Sequence, residues 1–245
     1  MNQNVLQVKS VTKKIKRREI IKEMSFEVKK GDVCGFIGPN GAGKTTMIRL
    51  LTALIKPTSG LIFIDDINII NENRKDALKS LGAIVEAPIF FSHMSGEKVL
   101  MNLALLNEGM TKEERINKVQ DVLKTVGLSN RGKDKVSTYS LGMKQRLGIA
   151  QALLNDPELI ILDEPANGLD PLGMVELREL ILRLNQERGI TFLISSHLLD
   201  ELQKICNTFI IIKEGSLVWQ GSKETLLKEG NHESSLEEFF IELIK

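Results

Sequence analysis

The sequence predicts an α/β fold in which a mostly helical segment interrupts a core of parallel strands. A glycine-rich loop at residues 38–46 lies between a strand-like run and a helix-like run, the setting that a phosphate-binding loop requires. Residues 159–162 form the apolar run Leu-Ile-Ile-Leu, as expected of a parallel strand covered on both faces. Between about residues 74 and 158 helical patterns dominate. A chain of 245 residues therefore suits a core with one subdomain.

Two strand-like segments open the chain. Residues 5–11 and 24–28 alternate between apolar and polar side chains, which indicates strands. The basic connection at residues 13–18 is open to two interpretations, a nucleic-acid patch or a solvated hairpin loop. We expect the hairpin loop, because no aromatic or glycine pattern accompanies the charges.

The glycine-rich loop fits the pattern G-x-x-x-x-G-K-[ST]. Its glycines let successive backbone N–H groups turn towards phosphate oxygens, and the following helix adds its positive dipole end. Lys44 is expected on the β- and γ-phosphates of a nucleotide, and the Thr45 hydroxyl on Mg²⁺. The alternative is a glycine-rich turn that matches by chance, which the flanking strand and helix disfavour. The candidate phosphate-binding residues are Gly38, Pro39, Asn40, Gly41, Ala42, Gly43, Lys44, Thr45 and Thr46.

The rest of the chain divides into regions that differ in predicted secondary structure. Further strands are expected at 61–64, 190–194 and 208–212. Helices are expected at 46–52, 97–107, 113–126, 141–154, 171–188 and 197–204. These elements assign residues 1–85 and 159–230 to the α/β core, 86–158 to a helical subdomain and 231–245 to a C-terminal helix.

Two carboxylates follow the buried strand at 159–162. Ligands of open α/β sheets bind at such strand ends. Asp163 fits the aspartate that holds Mg²⁺ in nucleoside triphosphatases with a phosphate-binding loop. Glu164, one residue on, is the candidate general base for a water that attacks the γ-phosphate. The alternative is a surface pair that caps the next turn.

His197 follows another predicted core strand. A lone histidine there is usually structural, but the neighbouring strand end carries Asp163 and Glu164. We therefore expect its neutral ring to contact the γ-phosphate and the attacking water. The cysteines, Cys34 and Cys206, lie in apolar strand-like runs and are expected to be buried, reduced thiols.

Composition excludes several function classes. A net charge of +1 gives no bulk attraction to nucleic acid or anionic lipid. No apolar run approaches the roughly 18 residues of a membrane span, and residues 1–4 open no signal peptide. We therefore expect that any work at a membrane depends on a partner.

Residues 139–146, Tyr-Ser-Leu-Gly-Met-Lys-Gln-Arg, resemble the signature of ABC-type ATPases. Ser140, Gly142 and Gln145 fit its S-x-G-x-x-Q frame. Independently, Ser140 is a good helix N-cap, so the helix from 141 presents a positive dipole end. Together with the phosphate loop, Asp163–Glu164 and His197, the resemblance implies an ATP-hydrolysing domain. The implied fold is a RecA-like mixed sheet, an N-terminal antiparallel β subdomain and an inserted helical signature subdomain.

The resemblance also implies a homodimer. Two chains would pack head to tail around two ATP molecules, each held between residues 38–46 of one chain and 140–145 of the other. Residues 166–170 resemble the D-loop, which crosses that interface in the family.

The sequence departs from the family pattern at two positions. Ile15 stands where many members stack an aromatic ring on adenine, so we expect looser selectivity for the base. Glu86 follows the strand expected at 82–85 and stands where a glutamine is usual. Its carboxylate is a candidate contact to Mg²⁺, and the alternative is a solvated loop residue.

Residues 81–91 are similar to the same segment of bacitracin- and lantibiotic-resistance ATPases, in which glutamate replaces glutamine. In that group the ATPase is a separate polypeptide that drives a membrane permease. The resemblance implies a bacterial subunit at the cytoplasmic face of the membrane, serving resistance or self-immunity. The permease would dock beside residues 86–91, where Ile89, Phe90 and Phe91 are either docking residues or core residues.

Two other functions remain as alternatives. A soluble ABC-type ATPase that is not coupled to transport is the first, although the long coiled coils or second ATPase unit of such proteins are absent from this sequence. A kinase or an unrelated nucleoside triphosphatase is the second, and residues 139–146 argue against it.

The end of the chain has an amphipathic pattern. Leu236, Phe239, Phe240 and Leu243 recur at helical spacing, so we expect residues 234–244 to fold back on the core. Asp200 and Glu201 are expected only on a solvated helix face.

Overall fold

The computed structural model describes residues 3–71, 74–107, 109–229 and 236–244. Its strands are β1 (Asn4–Ile15), β2 (Arg18–Lys29), β3 (Val33–Ile37), β4 (Ser59–Ile64), β5 (Ile67–Asn68), β6 (Leu81–Ile84), β7 (Leu159–Asp163), β8 (Thr191–Ser195), β9 (Thr208–Lys213) and β10 (Ser216–Ser222). Its α-helices are α1 (Lys44–Leu51), α2 (Arg74–Lys79), α3 (Gly96–Ala104), α4 (Lys112–Thr125), α5 (Leu141–Ala152), α6 (Pro171–Arg188), α7 (Leu199–Ile205), α8 (Lys223–Glu229) and α9 (Leu236–Ile244).

Two sheets form the core. The larger has the order β10-β9-β3-β8-β7-β6, with β9, β3, β8, β7 and β6 parallel and β10 antiparallel at its edge. The smaller has the order β2-β1-β4-β5 and is antiparallel. This arrangement confirms the predicted α/β class and places the ends of β3, β7 and β8 at one edge.

The larger sheet is covered on both faces. In β7, Leu159 and Ile161 pack into the hydrophobic cluster between the two sheets. Ile160 and Leu162 point the other way, into the cluster shared with the helices. All four are fully buried, so alternate residues of one apolar run face two different cores, as predicted for this strand.

The inserted segment between β6 and β7 contains α3, α4 and α5. Thr111 begins α4 with a capping box formed with Glu114, and Ser140 caps α5 by accepting from the Met143 N–H. The helical pattern expected from about residue 74 is interrupted, since Leu81–Ile84 joins the larger sheet as β6. The strand expected at 82–85, directly before Glu86, is thereby confirmed with a shift of one residue.

The structure corrects two further local expectations. Residues 13–15 and 18 belong to the paired strands, and the hairpin turn is confined to 16–17. Cys206 ends α7 instead of lying in a strand, but both it and Cys34 are buried and free, as expected. Burial raises the pKa of the Cys34 thiol to about 12.

The C-terminal helix α9 folds back on the core, as predicted. Leu236 and Phe239 are buried, and the Phe239 ring meets Trp219 of β10 edge to face at 5.2 Å between centroids. Residues 234 and 235 of the predicted segment lie outside the described residues.

Candidate functional site

The phosphate-binding loop leaves β3 and enters α1. Gly41 and Gly43 have φ angles of 81° and 103°, in the left-handed region that glycine adopts without strain. Gly38 is required for a different reason, because a Cβ there would lie 2.6 Å from the carbonyl oxygen of Ile212. The loop is also fastened to the β9–β10 turn, where the Gly215 N–H donates to the Ala42 carbonyl at 2.9 Å.

The loop borders an open groove of about 870 Å³, within the size range of nucleotide-sized ligand sites. The groove brings the predicted Glu164 and His197 to the phosphate loop. From the loop it is lined by Pro39, Asn40, Gly41, Gly43, Lys44, Thr45 and Thr46. From other elements it is lined by Arg18, Glu19, Ile20, Lys22, Glu164, Asn167, His197 and Glu214.

Lys44 lies at the first position of α1 and is buried. Its ammonium donates to the Gly38 carbonyl at 2.5 Å and to the Pro39 carbonyl at 3.4 Å. Burial lowers the pKa of Lys44, and the nearby Glu164 and Asp163 carboxylates oppose that change. The charge is therefore poorly compensated inside the loop, which favours a phosphate group as its partner.

Asp163 ends β7 and is also buried. It accepts a hydrogen bond from the Ser195 hydroxyl of β8 at 2.5 Å. Burial raises the pKa of Asp163; the hydroxyls of Ser195 and Thr45 oppose the rise, and the charges of Glu164 and Glu86 add to it. A cation beside this carboxylate would reverse the rise.

The oxygen atoms of Asp163 and Thr45 fit Mg²⁺, which prefers hard oxygen ligands and keeps several of them from phosphate and water. Within the described residues, no cluster of three or more His, Cys, Asp or Glu side chains could hold a metal by itself. The protein thus offers a two-ligand site that nucleotide oxygens would complete.

Glu164 and His197 form the polar pair at the end of the groove. Glu164 Oε2 lies 2.7 Å from His197 Nδ1 and accepts from the His197 backbone N–H at 3.3 Å. An ionised carboxylate can only accept, so Nδ1 carries the proton in this contact and Nε2 is left open to a ligand or water. A water placed between Glu164 and a γ-phosphate on the loop would have a base within reach.

The signature segment lies apart from the groove. Ser140, Gly142 and Gln145 are not among the residues that line it. The Gln145 side chain is 5% exposed, and its Nε2 donates to the Pro165 carbonyl of the same chain at 2.7 Å. It shares the buried side of α5 with Ile149 and Ala152, so the structure places it inward, while Ser140 remains exposed.

A family model described as ABC transporter matches residues 21–167, more than half of the chain. The chain belongs to the ABC transporter family. It is an ATP-binding subunit and an ATPase, and its fold is that of the ABC ATPase domain. No helix among the described residues has the length and apolarity needed to cross a membrane.

Named relatives and a solved structure agree with this family. The chain is 46% identical to the bacitracin transport ATP-binding protein BcrA of Bacillus licheniformis over 87% of this chain and 68% of that protein. It is 38% identical to the lantibiotic transport ATP-binding protein SrtF of Streptococcus pyogenes over 96% of each. An ATP-binding cassette solved as a dimer in a post-hydrolysis state, bound to ADP and Pi, is similar with a TM-score of 0.78, 25% identity and coverage of 89% of this chain and 98% of that one.

Two residues of this ABC ATPase that are expected to contact the base or Mg²⁺ lie outside the groove. Ile15 is 47% exposed at the hairpin end and does not line it, whereas Arg18, paired with Ile15 across the hairpin, does. Glu86 has a φ of 65° and forms an ion pair with Arg49 of α1. Its charge reaches Asp163, but its carboxylate is held towards Arg49.

Sequence reasoning missed Ser195, the residue that contacts both the Asp163 carboxylate and the Glu164 backbone in the ABC ATPase site. Its hydroxyl donates to Asp163, and both its hydroxyl and its carbonyl oxygen lie 3.1 Å from the Glu164 N–H. The available signal was its position at the end of the strand that precedes His197. The sequence analysis also missed the groove residues Arg18, Lys22 and Glu214, whereas Asn167 belongs to the segment that resembles the D-loop.

Proposed function

We propose that the chain is the ATP-hydrolysing subunit of a bacterial exporter that confers resistance or self-immunity to peptide antibiotics. The observation that carries this proposal is the likeness to two proteins named for bacitracin and lantibiotic transport, one of which aligns over 96% of both chains. The glutamate-containing segment at residues 81–91 resembles the same group. The transported compound is therefore expected to be a cyclic or lanthionine-bridged peptide.

The groove supports hydrolysis with these roles for the chain's residues. Lys44 and the loop N–H groups would bind the β- and γ-phosphates, and Thr45 and Asp163 would hold Mg²⁺. Mg²⁺ there would neutralise charge on the phosphate oxygens. Glu164 accepts the proton of the attacking water, and His197 orients the Glu164 carboxylate through their 2.7 Å contact.

The groove is one half of the proposed complete site. Its open side faces solvent, while the capped N-terminus of α5 lies elsewhere on the surface of the same chain. In the proposed homodimer, Ser140 and Gly142 of one subunit would close the groove of the other over ATP. The dimeric form of the similar ATP-binding cassette supports this arrangement.

A permease is proposed to dock on the loop after β6. Ile89 and Phe91 are 95% and 67% exposed, whereas Phe90 packs partly buried against the helical core. The two outward apolar side chains follow Glu86, whose ion pair with Arg49 connects the loop to the phosphate-binding helix. Docking there would hold the subunit at the cytoplasmic face of the membrane and link it to the site.

The experiment compares four bacterial strains. They carry the chain together with its permease, the chain alone, the permease alone, or the permease together with the Glu164→Gln variant of the chain. We expect the minimal inhibitory concentration of bacitracin or a lantibiotic to rise only with the active pair. If the minimal inhibitory concentration of neither compound rises and the chain does not co-purify with the permease, the exporter proposal is wrong. An ATPase that is not coupled to transport then becomes the better description.

A further inference from the structure

Glu164 and His197 follow the paired ends of β7 and β8, and each lies in a loop that leads into a helix. The loop that carries Glu164 runs into α6, which begins after its N-cap Asp170. His197 lies two residues before α7. Any sliding of α7 along α6 therefore changes the 2.7 Å contact between the His197 ring and the Glu164 carboxylate.

An ion pair joins these helices. Arg178 Nη1 of α6 lies 3.2 Å from Glu201 Oε2 of α7, and the two side chains are only 23% and 24% exposed. The second oxygen of Glu201 accepts from Lys204 Nζ at 2.6 Å. This corrects the expectation that Glu201 lies on a solvated helix face, since a sequence pattern does not reveal a basic partner 23 residues earlier.

Helix α7 also has contacts outside α6, since Lys223 Nζ donates to the Gln203 carbonyl at 2.6 Å and the Leu236 N–H donates to Gln203 Oε1 at 3.3 Å. It is seven residues long, its N-cap Leu198 gives no side-chain cap, and Leu202 is its one buried residue. A small, mostly apolar cavity separates the helices, lined in part by Leu177, Ile181 and Ile205 as well as by the ion pair. Apolar contacts across a void do not resist sliding as close packing does. Between α6 and α7 themselves, the directional contact between Arg178 and Glu201 therefore contributes most to the register.

We propose that Arg178 and Glu201 are positioning residues that hold His197 against the Glu164 carboxylate during hydrolysis. This inference rests on the proposed roles of Glu164 and His197. A pair that is three-quarters buried is screened less than a surface pair, and its loss would let α7 shift. Because misplacement of a catalytic group by about 1 Å costs up to roughly a hundredfold in rate, a visible loss of turnover is expected.

The experiment measures steady-state ATP hydrolysis of the full chain with Arg178→Met, with Glu201→Met and with both. Each single variant should lower kcat roughly tenfold, or about 1.4 kcal/mol, with KM for ATP within about twofold of the wild-type value. The double variant should be no slower than the slower single variant, because both remove the same contact. A merely structural pair would lower the thermal midpoint without this separation of kcat from KM.

Arg188→Met is the matched control. Arg188 lies at the C-terminal end of the same helix and pairs with Asp121 of α4 at 3.3 Å instead of with α7, so the kcat of this variant should stay within about twofold of the wild-type value. Equal losses in Arg178→Met and Arg188→Met, or normal kcat in both Arg178→Met and Glu201→Met, would overturn the proposal. Glu201→Gln, which keeps the side-chain size, takes the place of any variant that fails to fold.

The proposed function can fail separately. If Glu164→Gln hydrolyses ATP normally, the role of Glu164 is wrong. If Glu164→Gln is inactive while the Arg178 and Glu201 variants are normal, only the positioning inference is wrong.

Discussion

Glu164 is held in a backbone conformation that most residues avoid. Its φ of 49° lies in the left-handed region, which costs a residue with a Cβ about 1–2 kcal/mol. The cost is offset by hydrogen bonding of its N–H to Ser195. The turn directs the carboxylate out of the strand and into the groove, whereas Asp163, one residue earlier, stays buried beneath it. Two adjacent carboxylates thus acquire different environments and different proposed roles.

The first prediction concerns the proton acceptor. Glu164→Gln preserves the shape of the side chain and can still contact His197, but its amide cannot take a proton from water. Turnover should fall at least about a hundredfold, the usual scale for loss of a general base. ATP affinity should stay within a fewfold, which equilibrium binding of a fluorescent ATP analogue would measure.

Glu179→Gln provides the control for that substitution. Glu179 is exposed on α6, so the same chemical change there should leave turnover unaltered. Comparable activity in the Glu164 variant and the wild-type protein would remove Glu164 from the role of base.

The second prediction concerns the buried charge of Asp163. Its pKa is raised above 3.8, chiefly by burial, so the folded state prefers the neutral form. The contribution of protonated Asp163 to the free energy of unfolding is fully present below the unfolded-state pKa. It is lost as pH rises through the higher folded-state pKa. Asp163→Asn removes the charge and can keep an acceptor for the Ser195 hydroxyl.

Without nucleotide or Mg²⁺, Asp163→Asn should therefore become more stable relative to the wild-type protein as pH rises from 4.5 to 8, so the difference between their thermal midpoints should increase. In the presence of ATP and Mg²⁺, the variant should have lost hydrolysis. Thermal unfolding followed by circular dichroism across this pH range measures the difference. A constant or shrinking difference would show that the buried carboxylate carries no such cost.

Element boundaries show what local sequence can and cannot reveal. Periodicity located α4, α6 and the buried strand β7 because each repeats its pattern over a full face. It did not reveal that the Gln145 side chain packs inward against the Pro165 carbonyl, or that Glu86 pairs with Arg49. Both are tertiary contacts, which a linear pattern does not encode. The same limit hid Ser195 and the Arg178–Glu201 pair.

The third prediction tests the loop after β6 as a docking element. Ile89→Ala with Phe91→Ala should weaken co-purification with the permease while leaving hydrolysis by the isolated subunit within about twofold, because both side chains point to solvent. Loss of apolar contact at an interface centre costs about 1–2 kcal/mol per residue. Pull-down from detergent-solubilised membranes measures the association.

Leu105→Ala with Leu106→Ala is the matched control, since these residues are also exposed and apolar in the same helical segment, at 60% and 78%. Equal loss of permease binding from both double variants would mean that the effect is general hydrophobicity. No loss from the Ile89 and Phe91 variant would remove this loop from the interface.

The fourth prediction tests the anchoring of α9. Phe239 is 7% exposed and packs against Trp219, the single tryptophan of the sequence. Phe239→Ala should destabilise this contact by about 3 kcal/mol and release the helix locally. A red shift of tryptophan fluorescence below the main unfolding transition would report it. Ile241→Ala, at a 40% exposed position on the same helix, should leave the spectrum unchanged.

At the scale of the whole molecule, four sequence features predict the fold and most of the candidate site, because the phosphate loop, the two strand ends and the capped helix each bring a physical constraint. The sheet order turns separate motifs into one groove by placing β3, β8 and β7 side by side. It leaves the N-terminus of α5 outside that groove. In the proposed homodimer these two regions are half-sites, and a second copy of the chain would join them.

The fifth prediction tests that assembly at Gly142. A Cβ built there meets only Leu169 and Ser140 atoms at 3.9 and 4.0 Å, so the folded subunit has room for a side chain. Gly142→Asp also places a negative charge in the first turn of α5, which favours the helix dipole. The subunit should fold with an unchanged or higher thermal midpoint and bind ATP normally through its own phosphate loop.

Across a dimer interface the same aspartate would face a γ-phosphate, and like charges at close range repel. In the slow-hydrolysing Glu164→Gln background, size-exclusion chromatography with light scattering should show an ATP-dependent dimer. Adding Gly142→Asp should leave a monomer that still binds ATP. Leu106→Asp introduces the same charge at an exposed position away from α5 and should preserve the dimer. An intact dimer in the Gly142 variant would mean that residues 140–142 do not close the second subunit's site.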